Sequence, residues 1–145
     1  MKRRGFLALS VVALLPISAL AAREVIDVYK GAACGCCGDW IKHLRSNGFE
    51  VRSHDVADTS EYRRRYGVPD AFASCHTALI GGYAIEGHVP AREIKRLLAE
   101  RPKAQGLAVP GMPAGSPGME QNGRRDPYDV LLFQRDGRNA TYARY

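Results

Sequence analysis

Hydrophobic spacing changes period repeatedly along the chain, and each change marks an element. Val25-Ile26-Asp27-Val28-Tyr29 is a β-branched run halted by Gly31, and its near-continuous apolar character predicts a strand covered on both faces. From Gly38 to Asn47 the residues Trp40, Ile41 and Leu44 recur at helical spacing, Lys42 and Arg45 fall elsewhere on the wheel, and Asn47-Gly48 is a helix stop. Phe49-Glu50-Val51 opens a second strand. Thr59 to Tyr66 predicts a polar helix capped by Asp58 or Thr59 and ended by Gly67-Val68-Pro69, because the residue before a proline is driven out of the helical region. Ala78-Leu79-Ile80 and Tyr83-Ala84-Ile85, joined by Gly81-Gly82, predict a hairpin. Pro90 then begins a helix with Ile94, Leu97 and Leu98 on one face, closing at Arg101-Pro102.

Beyond that helix the pattern is less regular. Pro110 to Met119 carries too many prolines and glycines for a helix or a central strand and reads as a long loop. Tyr128 to Phe133 and Ala140 to Tyr145, separated by Arg135-Asp136-Gly137, predict a last hairpin. Strand, helix, strand, helix, hairpin, helix is the order of a thioredoxin-like fold. The expected architecture is therefore α/β: a mixed central sheet flanked by helices, with a C-terminal Gly/Pro-rich loop and an added hairpin.

The start of the chain follows a different logic. Met1-Lys2-Arg3-Arg4, an apolar run from Phe6 to Leu15, the break at Pro16 and the small-residue stretch Ala19-Leu20-Ala21-Ala22 describe a secretory signal peptide, residues 1–21, cleaved after Ala21. The run is shorter than the roughly 20 apolar residues of a spanning helix, so no stable membrane insertion is expected after cleavage. Arg3-Arg4-Gly5-Phe6-Leu7 resembles the core of a twin-arginine signal, while paired basic residues serve general secretion as well. Either route leads to the periplasm and leaves one domain, residues 22–145, large enough for a single core. Lys2, Arg3 and Arg4 leave with the signal, which lowers the formal net charge from +6 to +3 and removes most of the case for nucleic acid. Arg63-Arg64-Arg65, close to Glu61, reads as a solvated helix face.

The chemistry is concentrated in Cys34-Gly35-Cys36-Cys37 and the distant Cys75. Four cysteines in an oxidising compartment can form two structural disulfides. Against that, vicinal Cys36 and Cys37 bridge each other only with strain, and three thiols within four residues cannot all pair with one other cysteine. Exchange or metal binding suits the cluster better. A helix beginning at or just after Cys37 would turn its positive end toward these sulfurs and favour thiolates, the form that both attacks disulfides and binds metal. Cys75-His76-Thr77 precedes the strand at Ala78, where thioredoxin-like enzymes place a cis-proline, so a thiol and an imidazole stand where a ring would shield the cysteines. The candidate ligands are thus Cys34, Cys36, Cys37 and Cys75, with His76 as a ligand or a supporting group. Met112 and Met119 are thioethers that either favour copper over zinc or peg their loop to the core. His88 is a metal contact or a capping or surface histidine, and His43 and His54 read as structural or solvated. Zinc-finger spacing, a haem-attachment motif and a phosphate loop are all missing from the sequence.

Tyr29-Lys30 through Cys34-Gly35-Cys36-Cys37, Trp40, Leu44, Gly48-Phe49, Gly67-Val68-Pro69, Ser74-Cys75-His76-Thr77, Gly81-Gly82-Tyr83, Glu86-Gly87-His88-Val89-Pro90 and Gly106 to Met119 together resemble the CopG-type proteins of bacterial copper-resistance operons. The resemblance implies a periplasmic thioredoxin-like domain whose cysteines bind copper, with a redox role in detoxification. Its partners would be copper ions and other periplasmic copper-resistance proteins. Softness of the donors adds Cu(I), as one ion or a multinuclear cluster bridged by thiolates. Two other readings stay open: a thiol–disulfide oxidoreductase in which Cys34 and Cys37 are the catalytic pair, and a disulfide-stapled interaction module with all four cysteines paired.

Overall fold

A computed structural model of the chain describes residues 24–145. The expected signal peptide, residues 1–21, lies outside the described residues. The elements are β1 (Val25–Lys30), α1 (Gly35–Ser46), β2 (Glu50–Asp55), α2 (Thr59–Arg65), β3 (His76–Ile80), β4 (Tyr83–Glu86), α3 (Ala91–Glu100), β5 (Gly106–Ala108), β6 (Asp129–Phe133) and β7 (Asn139–Arg144), with one 3-10 turn at Asp70–Phe72. All seven strands form one mixed sheet in the order β2-β1-β3-β4-β5-β6-β7. β1 pairs with β2 in parallel and β4 with β5 in parallel; the other four pairings are antiparallel. The architecture is mixed α/β, and among the described residues no helix is long and apolar enough to cross a membrane.

The main core joins Ile26, Val28, Ala78, Ile80, Ile85 and Leu107 of the sheet to Trp40, Ile41 and Leu44 of α1 and Ile94 and Leu97 of α3. The predicted helical stripes are therefore the faces that α1 and α3 bury; in α3 Leu98 lies only partly inside, at the rim. Full burial of a Leu or Ile side chain contributes about 1.5–3 kcal/mol. A smaller cluster of Val68, Phe72, Ala84, Ala108 and Phe133 closes the region around the 3-10 turn. β1 is covered on both sides in different ways: Ile26 and Val28 enter the core, while Tyr29 stacks on Tyr62 of α2 and on His54 of β2. Asp27, on the same side as Tyr29, is bonded by Arg52 and His54.

Local signals hold at the ends of elements. Asp58 caps α2, its carboxylate accepting from the Ser60 N–H at 2.8 Å. Asn47 and Gly48, the latter at φ 89°, end α1. Gly81 and Gly82 both take positive φ in the β3–β4 hairpin, as a two-residue turn with the twist of its strands requires.

Two expectations need correction. α1 starts at Gly35, not at Gly38 or after Cys37, so Cys34 is its N-cap residue and Cys36 and Cys37 ride on its first turn. The apolar stripe begins only at Cys37, so periodicity could not reveal the earlier turn, which is closed by the Gly38 N–H to Cys34 carbonyl bond at 3.3 Å. The segment after α3 also contains an unanticipated strand, β5. Three small or apolar residues carry no period, and the strand exists through its partners β4 and β6. Gly106 permits it, because a Cβ there would lie 1.7 Å from the Ala84 carbonyl oxygen.

Candidate metal centre

The end of β1 and the start of α1 bring three cysteines to one corner of the sheet. Cys34 and Cys37 are joined in a disulfide with Cα atoms 5.4 Å apart, one helical turn. Cys36 and Cys75 remain free thiols. The Cys36 sulfur lies 3.6 Å from that of Cys34 and 4.0 Å from that of Cys75, and the Cys37 sulfur is 3.8 Å from the Cys75 carbonyl oxygen. All four sulfurs fall within 4.8 Å of one another. The sequence motif and the distant cysteine thus meet as expected. With Cys36 and Cys75 unpaired, the structure does not match a module stapled through all four. No acidic residue occupies the first turn of α1, so the positive end of that helix faces the cluster uncompensated.

Cys75 belongs to a second constellation as well. It immediately precedes β3, whose first residue is His76; His88 follows the end of β4. The Cys75 sulfur lies 3.3 Å from His76 Nδ1 and 3.0 Å from His88 Nε2. Each ring's other nitrogen faces a backbone carbonyl, which can only accept. His76 Nε2–H donates to Gly87 at 2.9 Å and His88 Nδ1–H donates to Pro117 at 2.7 Å. Both tautomers are thereby set, and two lone pairs converge on one sulfur. A single thiol proton can satisfy only one of them, an arrangement that suits a cation.

Burial keeps the imidazoles neutral, the form that ligates metals. His76 is wholly enclosed, and desolvation, then the neighbouring His88, pulls its pKa down to about 3. His88 is also lowered by desolvation, in spite of the Pro117 carbonyl and Glu120. For Cys75 the effect runs the other way. Desolvation, and after it the charge of Cys36, push its pKa up to about 12. Cys75 is thus a thiol at neutral pH until a cation replaces its proton.

The Gly/Pro loop clasps this corner from both sides. Gly111 donates its N–H to the Ala73 carbonyl at 3.1 Å and its carbonyl accepts from Ser74 Oγ. Farther along, Gly118 sits so close to α1 that a Cβ would lie 2.7 Å from Trp40 N and 2.8 Å from the Cys36 carbonyl oxygen. Met112 and Met119 flank the clasped stretch; Met112 is 52% exposed and Met119 is half-buried. His43 and His54 have the structural roles expected of them. His43 Nε2 accepts from the Ala91 N–H at the start of α3, and His54 bonds Asp27.

Two contacts of this corner have no counterpart in the sequence pattern: Trp40, already expected on the buried face of α1, against His76, and a buried Glu86 behind Cys75. Trp40 is fully buried with its ring centroid 4.3 Å from that of His76, and its indole N–H donates to the Val89 carbonyl at 2.8 Å. Glu86 is fully buried at the end of β4, where it accepts from Ser74 N–H, Thr77 Oγ1 and Arg63 Nε. Desolvation raises its pKa against the pull of those donors. The one signal was a carboxylate directly following the apolar strand Tyr83-Ala84-Ile85, with no polar alternation to place it outside.

Residues 72–119, which hold Cys75, both buried histidines and both loop methionines, match a family described as a protein of unknown function, DUF411. No curated protein matches the chain. Two solved structures do: copper resistance protein CopG in form 2 has 51% sequence identity and a TM-score of 0.81, over 86% of this chain and 99% of the other. Form 1 of that protein has 51% identity and a TM-score of 0.80, over 86% and 98% of the two chains. Identity at that level over almost the whole partner makes the relation one of family: the chain belongs to the CopG-type copper resistance proteins.

Proposed function

We propose that this protein is a periplasmic copper-binding protein of copper resistance that takes Cu(I) as its cargo through Cys34, Cys36, Cys37 and Cys75. His76 and His88 complete the donor set, and Met112 and Met119 are the loop thioethers nearest in sequence to the clasp. The observation that carries the proposal is the position of Cys75, common to the four-sulfur group and to the Cys75–His76–His88 group. A thiolate has more than one lone pair, so a sulfur shared between two donor sets favours a multinuclear cluster over a single ion. Thiolates and neutral imidazoles fit copper; hard cations would call for oxygen ligands. Export of a domain of residues 22–145 after cleavage at Ala21 belongs to the same reading. So does a thioredoxin-like core, supported by the order β2-β1-β3-β4 and by the cysteine motif at the β1–α1 junction.

The Cys34–Cys37 disulfide supports a redox role. Reduced, the pair carries two electrons: two Cu(II) become two Cu(I), one S–S bond forms and two protons leave. The same pair supports the second reading, a thiol–disulfide oxidoreductase, in which one of the two sulfurs attacks a substrate disulfide and the other resolves the mixed disulfide.

Anaerobic Cu(I) titration of reduced protein against a competing chelator, with mass spectrometry of the mature chain, tests the proposal. Tight binding of more than one Cu(I) and a mass starting at Ala22 are expected. Failure to compete for Cu(I), combined with rapid exchange on a protein disulfide, would replace copper binding by the oxidoreductase reading.

A further inference from the structure

Behind Cys75 lies a buried ionic network that the proposed copper chemistry does not use. The Glu86 carboxylate receives three donors, one from a loop, one from β3 and one from α2: the Ser74 N–H at 2.7 Å, Thr77 Oγ1 at 2.6 Å and Arg63 Nε at 3.2 Å. Arg63, expected with Arg64 and Arg65 on a solvated face, instead reaches in from α2 with its side chain only 12% exposed, and its other partner, Asp70 at 3.5 Å, is 80% exposed. Removing a carboxylate and a guanidinium from water costs more than their attraction reliably returns, and well-packed apolar residues often stabilise a core better. Stability alone therefore gives a poor account of this pair.

Its location gives a better one. Ala73, Ser74 and Cys75 form a short segment with no helix or strand of its own, between the 3-10 turn and β3. Ser74 is held from two sides: its N–H by Glu86, and its hydroxyl by the Gly111 carbonyl. Gly87, at φ +73°, lets the chain close around it, since a Cβ there would lie 2.6 Å from Ser74 Oγ. The next residue is Cys75, whose sulfur must reach Cys36 on one side and two imidazole nitrogens on the other. We propose that Glu86, countered by Arg63, is a positioning residue that anchors Ser74 and thereby sets the Cys75 sulfur at the junction of the two donor groups. The effect on copper rests on the function proposed above; the anchoring itself does not.

The test combines a measurement made without metal and one made with it. Ser74 N–H and Arg63 Nε share one carboxylate oxygen and the Thr77 hydroxyl, which can also accept, faces the other, so Glu86→Gln keeps the shape of the site but removes the negative charge that strengthens the bond to Ser74 and counters Arg63. In reduced, metal-free protein the rate of Cys75 alkylation relative to Cys36, read by peptide mass spectrometry, is expected to rise in Glu86→Gln and more in Glu86→Ala. Cu(I) affinity, measured against a competing chelator, should fall by about tenfold in Glu86→Gln, the scale seen when a group orienting a metal ligand is lost. That loss should vanish in a Cys75→Ser background, because Glu86 acts through Cys75. If Glu86→Ala does not fold, Glu86→Gln decides. An unchanged alkylation ratio in Glu86→Gln, or an equal loss of affinity with and without Cys75, would overturn the anchor. Unaltered protein that binds no Cu(I) would instead sink the copper reading, and the alkylation ratio would still decide the role of Glu86.

Discussion

Cys34, Cys36 and Cys37 sit within four consecutive residues at the N-cap and first turn of α1, the first two half-exposed, held by a local disulfide and a helix end. Cys75, His76 and His88 come from the entrance to β3 and the exit of β4, with both imidazoles fully buried and each oriented by a backbone carbonyl. The first half is a local motif, its three sulfurs placed by one loop and one helix start rather than by the sheet. The second is a rigid socket whose donors are set before any ligand arrives. Sulfur count alone therefore does not define this site. A local half that holds a disulfide is joined to a buried half oriented by backbone carbonyls through one shared atom, the Cys75 sulfur.

The largest effect is expected from Cys75→Ser. Loss of the shared sulfur should lower Cu(I) stoichiometry and leave the Cys34–Cys37 dithiol able to form its disulfide. Chelator competition and a thiol count on the same sample measure both. Stoichiometry equal to that of the unaltered protein would mean that the two halves do not share a ligand.

The rigidity of the buried half has its own signature in acid. His76 keeps its neutral form down to a pKa of about 3, whereas in the unfolded chain it takes a proton near 6.5. Unfolded protein then binds more protons than folded protein between those values, so stability is fully present above pH 6.5 and is lost as pH falls toward 3. The expected slope is up to about 1.4 kcal/mol per pH unit from His76, and His88 adds to it in the same direction. Urea unfolding of reduced, metal-free protein at several pH values from 7 to about 4 measures it. His76→Gln should flatten the dependence; an unaltered slope in that variant would assign it to other groups.

The smallest effect is expected at the loop. Met112 is exposed and Met119 half-buried, so Met112→Leu or Met119→Leu should keep the copper stoichiometry and change only affinity or exchange rate, by a few-fold at most. Competition and transfer kinetics read this directly. A lost copper equivalent in either variant would make that thioether an obligatory ligand and extend the socket into the loop.

Most elements were legible because their signals are local. Period, β-branching, Asp58 before a polar helix and Gly81-Gly82 between apolar runs each act within a few residues, and the strands, helices and hairpins appear where those signals stand. The four cysteines were legible by chemistry, since three thiols in four residues have few structural uses. What stayed hidden was decided by pairing across distance. β5 is a strand because β4 and β6 flank it. His88 joins Cys75 because β3 and β4 are adjacent and Pro117 returns to orient its ring.

Glu86 marks the boundary between the two kinds of information. By itself the sequence determined that the chain carries an alternating α/β pattern and a soft-donor chemistry suited to copper. Only the tertiary structure decided which donors share a sulfur, which imidazole nitrogen faces it, and that a carboxylate lies buried behind it. The reason is physical: secondary structure and donor softness are properties of neighbouring residues and single side chains. Tautomers, burial and shifted pKa values exist only when groups far apart in the chain exclude water from one another.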